Sequence, residues 1–259
     1  MARESFRAFS ADLETMANSW AKSAVTTEVW KDLGFFGNTE SKPFRVSSGN
    51  VLGIGKPGAK KADNVCRAAH EKVASDLAFE LRLPIPPVIL LDMGELKEAD
   101  RVRYVAISAI PFPQPSSWGQ ASATFTDQHK NEASQVMSAM LAFETWVSCN
   151  DRKDDHVLAY LSAAAQPLQL AFIDYAFSMS YHWTVPDDPA GLTGTYLPVQ
   201  KDDDALRTMV DRIEQFDDAK LNGIVTRIPN EYLPEEKQTL IIANLKNRKQ
   251  KLHTLFGLK

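Results

Sequence analysis

Cysteine is scarce in this chain of 259 residues, which holds two, Cys66 and Cys149. They stand far apart in helix-like segments, and neither has a second cysteine at metal-ligand spacing. They therefore predict reduced, buried thiols and exclude a disulfide framework. No apolar run approaches the roughly eighteen residues that a membrane-spanning helix needs, so no membrane association is expected. The opening residues MARESFRAFSADLETMANSW are polar and carry acids, unlike the apolar core of a signal peptide, and the cytoplasm is the expected compartment. Basic residues are not in excess either. The 29 Lys and Arg against 33 Asp and Glu leave a net charge of −4 with both signs mixed along the chain, so a nucleic-acid partner is not expected. There is no Walker A loop and no G-x-S-x-G nucleophile context, and the loop from Gly37 to Pro43 carries no G-x-G-x-x-G pattern. His70, His129, His182 and His253 are too scattered to suggest zinc.

What the chain does contain is the composition of a folded soluble protein, 44% hydrophobic and 24% charged, which argues against extended disorder. Its length falls between one large domain and two ordinary ones, at about 150 residues each. Apolar side chains at Phe6, Phe9, Leu13, Met16, Trp20, Val25 and Trp30 predict helix over 5–32 with one break. KPFRVSSGNVLGIGKPG predicts two strands around a turn at Ser47-Ser48-Gly49-Asn50. Val65, Ala69, Val73, Leu77 and Leu81 recur every four residues and predict an amphipathic helix over 64–83, stopped by LPIPP. VILLDM and VRYVAISAI follow as strands joined by GELKEADR. PFPQPSSWGQ reads as a linker, because its prolines cannot continue a strand ladder. The strongest helix lies over 130–149. HVLAYL and LQLAFID are strands around SAAAQP, and helices follow near 203–215, 217–227 and 235–256. This order predicts an α+β fold of two lobes with a cleft between them. An N-terminal helical segment occupies 1–33, a strand-rich lobe 34–112 and a mostly helical lobe 113–259.

Between two apolar blocks, FETWVSCNDRKDDHVLAY places five charges at Asp151 to Asp155. Burying those carboxylates without partners would be costly, so they predict a cleft. Asp174 leaves the next strand at Phe-Ile-Asp-Tyr, and the hairpin from Val157 to Gln169 brings it back beside Asp151. Two acids at the ends of one hairpin suit a base and a metal ligand. In the N-terminal half, VLGIGK presents Lys56, and Glu71 lies on the helix that follows. A buried lysine wants an anionic partner, and this carboxylate would supply it while the ammonium points toward a phosphate.

Strand lysine, helix glutamate, a D-R loop after a helix ending in tryptophan, a hairpin and then I-D: this order resembles the HipA-like kinases, bacterial relatives of protein kinases and phosphatidylinositol kinases. The resemblance runs over roughly residues 35–256, and IVTRIPNEYL and LKNRKQKLHTL are similar to the family's helical C-terminus. It implies a bilobal protein-kinase-like fold that uses ATP and magnesium (Mg2+) to phosphorylate serine or threonine of a cytosolic protein substrate. It also implies that Lys56 contacts the α and β phosphates, Glu71 orients it, and Asp151 is the catalytic base with Arg152 beside it. By the same carry-over Asp174 holds magnesium, and Ile107, Ser108 and Ile110 touch adenine. A toxin–antitoxin or phage-defence setting, with an antitoxin or regulatory partner restraining the kinase, belongs to the same implication. One position departs from the pattern: where the family has asparagine five residues after the catalytic aspartate, this chain has His156. A neutral imidazole is a poor ligand for magnesium, so either Asp155, one residue earlier, substitutes as metal ligand through a small loop shift, or His156 leaves a weakened site that runs with one ion. A nucleotide-binding pseudokinase serving as a scaffold is the alternative. The loop from Gly37 to Pro43 lies where these kinases carry a phosphate-covering loop, in some members autophosphorylated. Phosphate on its Thr39 or Ser41 would repel the nucleotide.

Taken singly, these residues have plainer readings. Gly53-Ile54-Gly55-Lys56 reads as a glycine-weakened edge strand with a surface lysine, Glu71 as a solvated helix charge, and 151–155 as a solvated turn. His156 reads as a packed histidine, and Trp146, Trp183, Phe172 and Phe177 as core. Asp151, Asp154, Asp155 and Asp174 also suit two-metal hydrolysis of a phosphate ester, a reading that leaves Lys56 and Glu71 without a role.

Overall fold

Helix α1 runs from Ala11 to Trp20, shorter than the apolar spacing predicts, in a computed structural model that describes residues 4–35, 42–57, 66–92, 104–149, 151–162, 166–179 and 200–258. Ser10 caps it, its hydroxyl accepting from the Leu13 amide at 3.3 Å. Ahead of it, Phe6 donates its amide to the Arg82 carbonyl and Arg7 its guanidinium to the Leu83 carbonyl. Val25 and Trp30 are not helical, which corrects the reading of 5–32. Strand β1 (Val25–Thr26) pairs in parallel with Leu90 and Leu91, and Trp30 is buried just before β2 (Lys31–Phe35). Apolar spacing marked these residues for burial, and the sheet beneath them decided the backbone.

Strands β3 (Phe44–Ser48) and β4 (Val51–Pro57) form the expected hairpin, its turn using Gly49 at a φ of +54°. With β5 (Val88–Asp92) and β6 (Tyr104–Ala109) they complete a six-stranded sheet in the order β1-β5-β6-β4-β3-β2. Strand β4 is therefore interior and not an edge, and the Lys56 side chain is 17% exposed and not a surface lysine. Strand alternation divides the sheet into two faces. Phe44, Val46, Ile89 and Ile107 face outward and are sealed by Leu13, Trp20 and Trp30. Lys56, Ile54, Ser108 and Leu90 share the inner face, as their cross-strand register requires. The β4 glycines serve that outer packing. A Cβ on Gly55 would lie 2.7 Å from the Phe44 ring, and one on Gly53 would lie 2.8 Å from Ile107.

Helix α2 (Arg67–Glu80) packs on the inner face, against β4, β5 and β6. The sequence predicts an amphipathic helix, but Arg67 to Ala78 are all buried, because the helical lobe covers the other side. Residues 64 and 65 of the expected helix, the GELKEADR turn, Thr39, Ser41 and Trp183 lie outside the described residues. The proline-rich linker is more ordered than expected. It holds β7 (Ser116–Ser117) and α3 (Trp118–Ala121), and β7 joins β8 (Val157–Tyr160) and β9 (Gln169–Phe172) in a second sheet. Between them α4 (Asp127–Trp146) starts three residues early, because Thr126 and His129 form a reciprocal cap. Helices α5 (Asp203–Glu214), α6 (Asp218–Thr226), α7 (Glu235–Lys249) and α8 (Leu252–Leu255) follow. The single helix expected over 235–256 is broken, which turns buried Leu252 toward α4 and α5. Val73 and Leu77 of α2 share one continuous core with Met137, Phe143 and Leu206, so the two lobes meet through α2. Cys149 is buried as expected but lies beyond the end of α4, and Cys66 is half-buried at the α2 N-cap. No described helix is long and apolar enough to cross a membrane.

The glycine packing has a direct test. Gly55→Ala drives a methyl into the immobile Phe44 ring and is expected to cost about 1–3 kcal/mol, read as a lower urea midpoint at unchanged m-value. A neutral outcome would show that the sheet can shift and that the outer face is not tightly packed.

Candidate active site

A cavity of about 330 Å³ opens between α2 and the loop that follows α4. Lys56 and Pro57 reach it from β4, Arg67, Ala68 and Glu71 from α2, Asp151, Lys153, Asp155 and His156 from the charged loop, and Asp174, Ala176 and Phe177 from the segment after β9. Residues read in the sequence as one constellation thus meet in space. Lys56 Nζ is the hub, 2.7 Å from Glu71 Oε1 and 3.5 Å from Asp174 Oδ1. Burial alone would lower the Lys56 pKa, but Glu71 and Asp174 outweigh it and raise it, so the ammonium stays charged. Burial would likewise raise the Asp174 pKa. The cations Lys56 and Arg152 outweigh it and lower it, so the carboxylate stays ionised. Neither Lys56 nor Glu71 matches the surface reading given to it singly.

Arg152 does not line the cavity. Its side chain is 2% exposed and turns into the lobe, where Nη2 lies 2.7 Å from Glu144 Oε1 and Nε donates to the same oxygen at 2.8 Å. Nη1 donates to the carbonyls of Ile173 and His156, and the guanidinium lies 4.7 Å from the centroid of the Tyr175 ring. Tyr175 also donates its hydroxyl to Glu144 Oε1 at 3.0 Å. Arg152, expected beside the base in the catalytic group, follows directly on Asp151 but points away from the cavity and pairs with a carboxylate, tying α4, the charged loop and the chain after β9 into one unit. That tie holds Asp174 at a φ of +69°, a left-handed conformation that costs a non-glycine residue roughly 1 kcal/mol.

The remaining loop charges divide by address. Asp151 is paired with Lys153, Nζ to Oδ1 at 3.0 Å, and both are well exposed. Asp155 is exposed at the rim, whereas Asp154 packs against Gly119 and does not line the cavity, which removes one acid from the two-metal reading. His156 sits between carboxylates, Nε2 3.5 Å from Asp174 Oδ2 and 3.7 Å from Asp155 Oδ1. Burial lowers its pKa and keeps the ring neutral, against the pull of Asp174.

Among the residues expected at adenine, Ser108 shares the inner face with Lys56, but Ile107 does not. Strand alternation turns Ile107 to the outer face, where it is fully buried under α1, so its side chain cannot reach a ligand beside Lys56. Ile110 lines a separate cavity with Leu13, Met16 and Leu52.

Helix α2 is held in place on its far side. Lys72, with no exposed surface, donates to Asp76 at 2.7 Å and to the Trp20 carbonyl at 2.8 Å, while Arg227 after α6 reaches Asp76 at 3.2 Å. The His70 Nδ1 lies 3.1 Å from the Ala176 carbonyl, and burial pushes its pKa down to about 4. Glu71 is thus presented to Lys56 by a helix fixed to both lobes. The sequence reading missed Lys153, which the D-x-K spacing could have signalled, and Arg67. It also missed Glu144 as the partner of Arg152 and read Phe177 as core, whereas Phe177 lines the cavity under Arg67. Glu144 had one signal, a lone acid on an otherwise apolar stretch of α4.

No protein-family model matches the chain, and no curated protein does. Solved structures do match. The chain is similar to a Helicobacter pylori proinflammatory kinase, CtkA, with 15% identity, a TM-score of 0.61 and coverage of 89% of this chain and 97% of that one. It is also similar to the Golgi casein kinase with Mn/ADP bound, with 8% identity, a TM-score of 0.55 and coverage of 98% and 78%. A second structure of the Golgi casein kinase matches at 9% identity and a TM-score of 0.52. The fold is protein-kinase-like, with a small N-terminal sheet and a mostly helical C-terminal part.

Two outcomes follow from the buried charges. Arg152→Leu leaves the buried Glu144 carboxyl without its cation, and is expected to cost about 3–5 kcal/mol by urea unfolding, with much of the loss restored in the double variant carrying Glu144→Leu. No recovery in the double variant would show that Arg152 acts through its carbonyl contacts and not through the pair. His70 is neutral in the folded state, with a pKa depressed from 6.5 to about 4, so the unfolded chain binds the extra proton first. Its contribution is complete above 6.5 and is lost as the pH falls toward 4, so the melting temperature should drop across that window and drop less in His70→Asn. Parallel curves for the two proteins would remove His70 from the acid response.

Proposed function

We propose that this protein binds ATP in the cleft and transfers the γ phosphate to a serine or threonine hydroxyl of a protein substrate. The observation that carries the reading is Lys56 between Glu71 and Asp174, three residues from three elements converging in a cavity that Asp151 also lines. A cation held between two carboxylates is positioned without being consumed by either, which suits it to anchor phosphate oxygens. In the transfer, the substrate hydroxyl oxygen bonds to the γ phosphorus, the bond to the β–γ bridging oxygen breaks, and ADP leaves. Asp151 takes the hydroxyl proton, and Lys153 beside it balances the loop charge.

The donor set fits a divalent cation shared with phosphate. Among the described residues, no group of three His, Cys, Asp or Glu is arranged to hold a metal ion alone. Asp174, kept ionised, and Asp155 at the rim offer oxygen, and magnesium characteristically takes its remaining ligands from phosphates and water. When bound, such an ion neutralises phosphate charge. The neutral ring of His156 adds no oxygen donor, and Asp155 takes the place of the missing asparagine. The HipA-like resemblance supports the serine/threonine specificity and a restraining protein partner of antitoxin type. The Golgi casein kinase, which holds Mn/ADP, supports nucleotide and divalent-metal use.

The position of His156 favours a second reading, a pseudokinase whose nucleotide pocket serves as a scaffold. ADP release and intact protein mass, followed together with ATP and magnesium, decide between the readings. Wild type is expected to turn over ATP, Asp174→Ala to lose about a hundredfold or more, and His156→Asn to turn over faster than wild type. Nucleotide binding with no turnover in wild type or His156→Asn would establish the scaffold. An unaffected Lys56→Ala would point to metal-dependent hydrolysis instead.

A further inference from the structure

Arg67, the first residue of α2, has no place in the roles assigned above, yet it lines the same cavity. It is 7% exposed, and its Nε is buried with no hydrogen-bond partner. Its guanidinium lies 4.1 Å from the centroid of the Phe177 ring, which orients the plane without supplying an acceptor. The other cavity cations are already matched, Lys56 by Glu71 and Asp174, Lys153 by Asp151. A buried guanidinium with an unfilled donor is costly unless a ligand completes it, and its planar fork matches phosphate oxygens. The first turn of α2 also carries no acidic residue, and its N-cap, Cys66, makes no side-chain capping bond. That helix end therefore adds a favourable field for an anion.

The order of residues along the cleft says which phosphate. The chain leaves the sheet for the helical lobe after Ala109, so Ser108 and its partner Ile54 lie at the connector end. Lys56 is two residues further along β4, about 7 Å, followed by Pro57, which pairs with Val105 still further from the connector and lines the cavity together with Arg67 and Phe177. We propose that Arg67 forms the subsite for the terminal phosphate of the nucleoside triphosphate, beyond the phosphates held at Lys56. The inference rests on the ATP-binding reading above and adds to it a group that distinguishes ATP from ADP.

The test is calorimetric titration of the full chain with ATP and with ADP, each with magnesium, for wild type, Arg67→Gln and Arg67→Lys. Arg67→Gln is expected to weaken ATP about tenfold or more while changing ADP less than about twofold, as loss of one charged hydrogen-bonding group requires. Arg67→Lys, which keeps the charge but loses the fork, should fall between, and it serves as the reading if the glutamine variant does not fold. Equal losses for ATP and ADP, or none for either, would overturn the subsite while leaving the ATP-binding reading intact. Wild type that binds neither nucleotide would overturn both.

Discussion

A single buried ion pair, Arg152 with Glu144, organises the cleft. Its guanidinium reaches the loop through the His156 carbonyl, the chain after β9 through the Ile173 carbonyl, and α4 through the carboxylate. Two of these segments are already held side by side by the β8–β9 ladder, which extends through the Ile173 amide to the His156 carbonyl, and the ion pair ties them to α4. The arrangement is demanding, because both charges leave water and neither tolerates loss of its partner. That demand explains the local sequence: an acid within the apolar stretch of α4 needs an arginine, and the arginine must follow directly on the residue that faces the cleft. Asp151 and Arg152 thus point in opposite senses, one into the cavity and one into the core.

The opposite wall is set by a different device. Helix α2 is unusual in having almost no solvent face, and several of its buried polar groups find a structural partner in another element: Lys72 and Asp76 with the Trp20 carbonyl and Arg227, His70 with Ala176. A helix held on both sides has little freedom to rotate, so the Lys56–Glu71 contact is built into the fold rather than assembled on demand. The two lobes share one core through this helix, which makes the cleft a fixed feature of a continuous structure. Within that frame the electrostatics are self-consistent. Asp174 keeps its charge because Lys56 and Arg152 surround it, and His156 stays neutral because burial and the same cations oppose its protonation.

Much of this was legible from residues alone. Alternating apolar patterns placed the β3–β4 hairpin and the β8–β9 hairpin, the four-residue spacing placed α2, and the density of charge at 151–155 between apolar blocks marked the cleft. The errors share one cause. Val25 and Trp30 were spaced for a helix but serve a sheet, β4 carried glycines like an edge yet lies inside, and Ile107 was assigned to the ligand although alternation sends it outward. In each case the pattern reported that a side chain is buried but not against what.

Sequence by itself determined which segments could form and which charged residues had to be partnered, because periodicity and the cost of burying charge are local properties of the chain. Only the tertiary structure decided the partners. Arg152 found Glu144, Lys56 found both Glu71 and Asp174, and Arg67 was left with an aromatic ring and an open donor. Those outcomes depend on distances between segments far apart in the chain, and such distances exist only once the sheet, α2 and the helical lobe have packed around one core.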